Sequence, residues 1–140
     1  IEGENVNINS NLDLIKVKEN QYEAIGVADA AIVCSGTATL ETSMLRCPMV
    51  VCYKLSWATW FFAKAVSKVK YLSLTNLIAE DEIVEELLQD KMNAKRLSQS
   101  IASLLNPKNK YELLKKYDKL IMKLKNSENA YDSAAKYIYD

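Results

Sequence analysis

The sequence predicts an α/β fold, and three observations predict it. Two short apolar runs, Ala30–Cys34 and Met49–Tyr53, are continuous rather than alternating. That is the pattern of strands covered on both faces of a parallel sheet. Between them lie Ser35, Gly36 and Thr37, then a helical segment Ala38–Arg46, then Pro48. This gives strand, turn, helix, strand, with an intervening stretch long enough for the roughly twelve residues that a parallel crossover needs. Third, the sequence beyond residue 80 carries apolar residues at spacings of three and four, the period of helices that pack on such a sheet.

A chain of 140 residues suits one domain. Hydrophobic residues make 49% and charged residues 26%, which predicts a packed core rather than disorder. Only 3 glycines and 2 prolines occur, as in a helix-rich chain with short loops. Basic and acidic residues balance at 18 each. A zero net charge argues against a nucleic-acid module, which carries a basic field. The charge is unevenly spread. Lys54, Lys64, Lys68 and Lys70 share a stretch without acids, whereas Glu80, Asp81, Glu82, Glu85, Glu86 and Asp90 share one without bases.

There are 3 cysteines, Cys34, Cys47 and Cys52, with no CxxC spacing and no histidine. A zinc site and a Ser–His or Cys–His catalytic pair are thereby excluded within this chain. Buried thiols in a reducing cytoplasm are expected. The chain starts at Ile1 with no basic, then apolar leader, so no signal peptide is expected, and it reads as a segment of something longer.

Taken in order, Ile1–Asn11 is a polar lead-in with Asn5, Asn7, Asn9 and Asn11. Leu12–Val17 is expected as a strand. Gln21–Val27 is expected as a short helix, with Tyr22, Ile25 and Ala28 at helical spacing. The strand–turn–helix–strand unit follows. In Leu55–Val69, Trp57, Trp60, Phe61 and Phe62 are followed by Lys64 and Lys68. Two readings stand for it. One is a helix packed on the sheet; the other is an interfacial surface with aromatic rings and lysines at lipid headgroup level. It is too short to span a bilayer, which takes roughly 20 apolar residues. Tyr71–Leu74 is expected as a strand, Thr75–Ala79 as a loop holding Asn76, and Asp81–Gln89 as an amphipathic helix. Ala94–Leu105 is expected as another, ended by Asn106–Pro107. Two tail helices follow, Tyr111–Lys125 and Glu128–Tyr139, the second capped by Ser127.

The turn at Ser35–Thr37 is the candidate for chemistry. A helix starting there leaves its first N–H groups without internal partners, and its macrodipole adds about half a positive charge. Gly36 has no Cβ, so a phosphate can approach the backbone. Ser35 and Thr37 add hydroxyl donors, and Glu41 is placed to accept from sugar hydroxyls. The structural alternative is equally open: Ser35 or Thr37 is an N-cap, Gly36 permits the turn, and Glu41 complements the dipole.

The blocks DAAIVCSGTATLE, CPMVVCYK, the aromatic–lysine segment, KYLSLTNLIA and VEELLQ occur in this order. Together they resemble lipid-A-disaccharide synthase, a bacterial glycosyltransferase of the two-domain GT-B type. The similarity runs from Val17 to Leu105, and the tail is compatible with it. The resemblance implies that residues 1–140 are a partial C-terminal UDP-sugar-binding domain with a partial Rossmann-like parallel sheet, flanking helices and a helical C-terminal tail, residues 107–140. The acceptor domain would be absent. It implies transfer of 2,3-diacylglucosamine from UDP to 2,3-diacylglucosamine 1-phosphate (lipid X), forming the β-1,6 disaccharide and releasing UDP. Catalysis by this segment alone is not expected, because the presumed catalytic carboxylate belongs to the N-terminal half.

By position, the resemblance places Ser35, Gly36, Thr37, Ala38 and Thr39 beside the UDP diphosphate, Glu41 at the ribose, and Asn76 near the active site. Trp57, Trp60, Phe61, Phe62, Lys64 and Lys68 become the lipid surface. It implies no cofactor or metal, no nucleic acid, a cytoplasmic protein peripheral on the inner membrane, and a homo-oligomer if a strand edge is exposed. Thr75 stands where the family has proline, and Glu80 where it has glycine, which puts the backbone near Asn76 in question. Two other readings remain. One is another GT-B enzyme using UDP-GlcNAc, either an epimerase or a peptidoglycan glucosaminyltransferase. The other is a non-enzymatic module that binds membrane or a partner.

Overall fold

The computed structural model describes residues 15, 17–34, 36–54 and 70–139, with side chains described as far as residue 126. The elements run α1 (Gln21–Val27), β1 (Ala31–Val33), α2 (Gly36–Met44), β2 (Met49–Tyr53), α3 (Leu74–Ala79), β3 (Glu86–Leu88), a 3₁₀ turn (Gln89–Lys91), α4 (Ala94–Leu104) and α5 (Pro107–Tyr139). The three strands form one parallel sheet in the order β1-β2-β3. Ala31, Ile32 and Val33 pair with Met49, Val50 and Val51. Val51, Cys52 and Tyr53 pair with Glu86, Leu87 and Leu88.

The central strand explains its own composition. Side chains alternate across a strand, yet Met49, Val50, Val51 and Cys52 are all buried. Met49 and Val51 join Val33, Val84, Leu113 and Tyr117 on one face, with Ala38 of α2 and Leu114 of α5 against them. Val50 and Cys52 join Leu87 on the other, covered by Leu97 and Ile101 of α4. Helices on both faces demand apolar residues at every position of β2. Ile32 of β1, on the α4 face in register with Val50, is 52% exposed, so that face is covered only towards β3.

The local chemistry accounts for the helix ends. α2 closes in a Schellman motif: Cys47 N–H donates to Thr42 O at 3.1 Å and Arg46 N–H to Ser43 O at 3.0 Å, with Arg46 at φ 60°. Asn93 caps α4 by accepting from Arg96 N–H at 3.0 Å. Asn106 caps α5 by accepting from Lys108 N–H at 3.0 Å, with Pro107 as the first helical residue. The tail is clipped to the body by Arg46–Asp118, by Lys110–Asp29 at 3.4 Å and by Lys123–Glu80 at 2.7 Å. These pairs are largely exposed, so solvent screens them and each contributes little. Buried Leu113, Tyr117 and Leu120 hold the tail more firmly. The Tyr117 hydroxyl lies against the Met49 backbone without a hydrogen bond of normal geometry.

Several expectations are corrected. Tyr71–Leu74 is not a strand: Ser73 caps α3, accepting from Asn76 N–H at 3.2 Å, so Thr75–Ala79 is helix rather than loop. Asp81–Gln89 is not a helix but an extended approach to β3. Asn76 Oδ1 takes the N–H groups of Ile83 and Val84 at 2.9 and 3.0 Å, and β2 takes the next residues into the sheet. The tail is one helix through Ser127, with no break for a cap. Of the strand expected over Leu12–Val17, the described residues Ile15 and Val17 lie in no strand and are exposed. The remainder lies outside the described residues, as does the aromatic segment Leu55–Val69. Among the described residues, no helix is long and apolar enough to cross a membrane.

Candidate functional site

The head of α2 sits at the carboxyl end of β1, where ligands of open parallel sheets bind. α2 owes its position to small residues. Thr39, Thr42 and Ser43 are buried, and each hydroxyl donates within the helix, to Gly36 O, Ala38 O and Leu40 O at 2.5, 2.7 and 2.7 Å. Hydroxyls satisfied in this way pack as small groups, so α3 and α5 lie close against α2.

The expected site residues divide into two sets. Gly36 is half-buried, Thr37 and Glu41 are exposed, and all three stand on α2. Tyr22 of α1 points its hydroxyl at Glu41 Oε1, 3.5 Å away. Ala38 packs on the core, and the Thr39 hydroxyl is spent on Gly36 O. Neither of these two side chains faces out, and of the two only Ala38 has its backbone N–H among the first N–H groups of the helix, which lack intrahelical partners. Ser35 lies outside the described residues, as do Trp57, Trp60, Phe61, Phe62, Lys64 and Lys68.

Asn76 has 0% exposure. Its amide nitrogen donates to Val84 O at 2.8 Å and Glu86 Oε1 at 2.9 Å, and its oxygen accepts the two N–H groups noted above. All four hydrogen-bonding positions of a carboxamide are occupied. In this arrangement Asn76 shapes the loop instead of offering atoms to a ligand. Glu80, at φ 59°, adopts the left-handed conformation that a glycine would favour, so its backbone follows the course a glycine would take there.

Among the described residues, nothing outside its own helix demands a glycine at position 36: its φ is not positive, and a Cβ built on it would meet Leu74 Cγ at 4.0 Å and no other described neighbour. Its neighbour Cys34 is exposed, whereas Cys47 and Cys52 are buried, and burial raises both of their thiol pKa values. A separate hollow of about 510 Å³ runs beside β3, lined by Glu82, Glu85, Glu86, Asp90, Asn93 and Arg96 among others. Its carboxylates disfavour an anionic ligand, and Arg96 is already paired with Glu85. Among the described residues, no group of three or more His, Cys, Asp or Glu is placed to hold a metal ion.

Sequence reasoning missed Leu74, whose Cγ lies 4.0 Å from a Cβ built on Gly36, and the Ser73–Glu86 hydrogen bonds at the head of α3. The Ser-Leu-Thr-Asn run at 73–76, with a capping hydroxyl ahead of a helical turn, is the signal that was there to find.

Comparison with known proteins adds a family. The lipid-A-disaccharide synthetase family matches residues 1–138. A lipid-A-disaccharide synthase of Sulfurihydrogenibium sp. (strain YO3AOP1) is 37% identical over 134 residues, covering 94% of this chain and 34% of the relative. One from Wigglesworthia glossinidia brevipalpis is 39% identical over 113 residues, covering 81% and 29%. One from Haemophilus influenzae (strain PittEE) is 34% identical over 138 residues, covering 95% and 35%. The chain thus spans about a third of the length of these relatives.

Proposed function

This chain belongs to the lipid-A-disaccharide synthase family, and from that premise we propose that it is part of the nucleotide-sugar-binding half of such a glycosyltransferase. The donor is UDP-2,3-diacylglucosamine and the acceptor is 2,3-diacylglucosamine 1-phosphate. The backbone from Ser35 to Thr39 cradles the UDP diphosphate, Thr37 adds a hydroxyl, and Glu41 accepts from the ribose. Asn76 acts from behind, by holding α3 and the approach to β3. Breaking the sugar–phosphate bond leaves negative charge on UDP. Fixed N–H donors and the positive end of α2 stabilise that charge as it develops, without reorganising. The group that activates the acceptor hydroxyl belongs to the other half of the enzyme. Trp57, Trp60, Phe61, Phe62, Lys64 and Lys68 meet the acyl chains or the inner-membrane surface, and the uncovered β1 edge takes a further strand, from the longer enzyme or a second copy.

The observation that supports this reading is Gly36. A residue without a side chain stands at the head of a helix where the described residues leave room for one. Close backbone approach by a ligand explains the choice. The test uses the exposed Cys34 as a reporter. UDP is expected to slow alkylation of Cys34 and to shift the amide signals of Gly36 and Thr37. Unchanged alkylation and unshifted amides at millimolar UDP, here and in the full-length synthase, would refute it.

A further inference from the structure

Glu86 opens β3, and its half-buried carboxylate reaches the head of α3. Its Oε2 accepts from Leu72 N–H at 2.9 Å. Its Oε1 accepts from Ser73 N–H at 3.0 Å, from Ser73 Oγ at 2.7 Å and from Asn76 Nδ2 at 2.9 Å. Four donors on one carboxylate are far more than a solvated surface acid gathers, and hydrogen bonds to a charged acceptor are the strong ones. The same Ser73 hydroxyl caps α3, and the same Asn76 amide holds Ile83 and Val84. Residues 72–73, the first turn of α3 and the start of β3 are therefore one locked unit.

The next residue in that unit is Leu74, whose Cγ, among the described residues outside α2, lies nearest a Cβ built on Gly36. We propose that Glu86 is a positioning residue for the nucleotide site: its carboxylate fixes the head of α3 and thereby sets Leu74 as the wall beside Gly36. This rests on the reading that the head of α2 takes the UDP diphosphate. Without the carboxylate, Leu74 is free to shift towards or away from Gly36, and the cradle loses its fixed width. Preorganised groups bind without the cost of being ordered at the moment of binding.

The test compares Glu86→Gln, Glu86→Asp, Ser73→Ala and Leu97→Ala in this chain, by urea unfolding and by UDP titration of fully folded protein. Glutamine keeps the shape but turns a donor towards Leu72 or Ser73. Glu86→Gln is expected to weaken UDP binding about tenfold in folded protein, and Glu86→Asp to recover part of that loss. Leu97 lies on the opposite sheet face, so Leu97→Ala is expected to lower stability and leave UDP affinity unchanged. Ser73→Ala removes one of the four bonds and is expected to weaken binding about threefold, which serves if Glu86→Gln does not fold. Wild-type affinity in folded Glu86→Gln, or in Ser73→Ala where that must stand in, would overturn the proposal while leaving the nucleotide reading intact. No UDP binding by the wild type, in this chain and in the full-length synthase alike, would overturn both.

Discussion

Replacing Gly36 by alanine adds one methyl group at the head of α2. In the folded chain that methyl meets Leu74 Cγ at 4.0 Å, an ordinary van der Waals contact, and the backbone needs no positive φ. Among the described residues nothing outside the helix resists it. Alanine in place of a helical glycine gains about 0.5–1 kcal/mol in an interior, chiefly through the unfolded chain. Gly36 is the first helical residue, so the lower figure of about 0.5 kcal/mol applies. For a domain of this size, that raises the melting temperature by about 2 °C. Binding is expected to move the other way. A methyl standing over the first N–H groups holds a phosphate off the backbone, and a tenfold loss of UDP affinity corresponds to about 1.4 kcal/mol.

The opposed signs make the assay decisive. Thermal unfolding and UDP titration on the same samples give both numbers. If Gly36→Ala lowers stability by more than about 1 kcal/mol, the glycine serves the fold and the argument from its dispensability fails. If it binds UDP as the wild type does, no ligand approaches that backbone closely.

Other expectations follow from buried groups. Thr75 Oγ1 is buried with no hydrogen-bond partner, which costs about 1–3 kcal/mol. Thr75→Val keeps the shape and is expected to raise the unfolding free energy by about 1 kcal/mol, read as a higher urea midpoint with an unchanged slope; a lower midpoint would show that the hydroxyl does find a partner. Cys47, Cys52 and Tyr117 all have pKa values raised by burial above their ordinary 9.0, 9.0 and 10.0. Below those values both folded and unfolded chains hold the protons. Above them the unfolded chain ionises first, so stability is expected to hold to about pH 8 and then fall, by up to about 1.4 kcal/mol per pH unit per group. Tyr117→Phe is expected to remove the part of the fall above about pH 10 without loss at pH 7, because its hydroxyl makes no normal hydrogen bond. An unaltered alkaline profile in that variant would contradict this.

Elements whose cause is local were legible in the sequence. The run Met49–Tyr53 is β2 residue for residue, Gln21–Val27 is α1, and Asn106–Pro107 marks both a helix end and the next helix start. β3 was illegible because Ile83, Val84, Leu87 and Leu88 fit a helical period. What holds them extended is remote: the Asn76 oxygen and the β2 edge. The unbroken tail escaped for the opposite reason. Ser127 is a good cap only where a helix has already ended, and nothing in Lys125–Asn126 ends one. At the site, position along the chain was legible and direction was not. Thr39 stands on the expected helix and Asn76 on a helix where a loop was expected, and both side chains are turned inward.

That inward turn narrows what recognition at the head of α2 can consist of. With Ala38 and Thr39 facing the core and Asn76 fully engaged, the expected site side chains left facing out among the described residues are those of Thr37 and Glu41. Any other contact that the described part of the site makes with a diphosphate would be through main-chain N–H. Backbone donors cannot be tuned residue by residue, so the accuracy of such a cradle depends on how rigidly the backbone is held. Buried hydroxyls in α2 and the Glu86–Ser73–Asn76 lock beside it supply that rigidity. A site built this way suits holding a leaving group whose charge grows during reaction, since fixed dipoles act without rearranging. Substitutions at buried Thr42 or Ser43, which never touch a ligand, are therefore expected to weaken nucleotide binding more than their cost in stability alone would suggest.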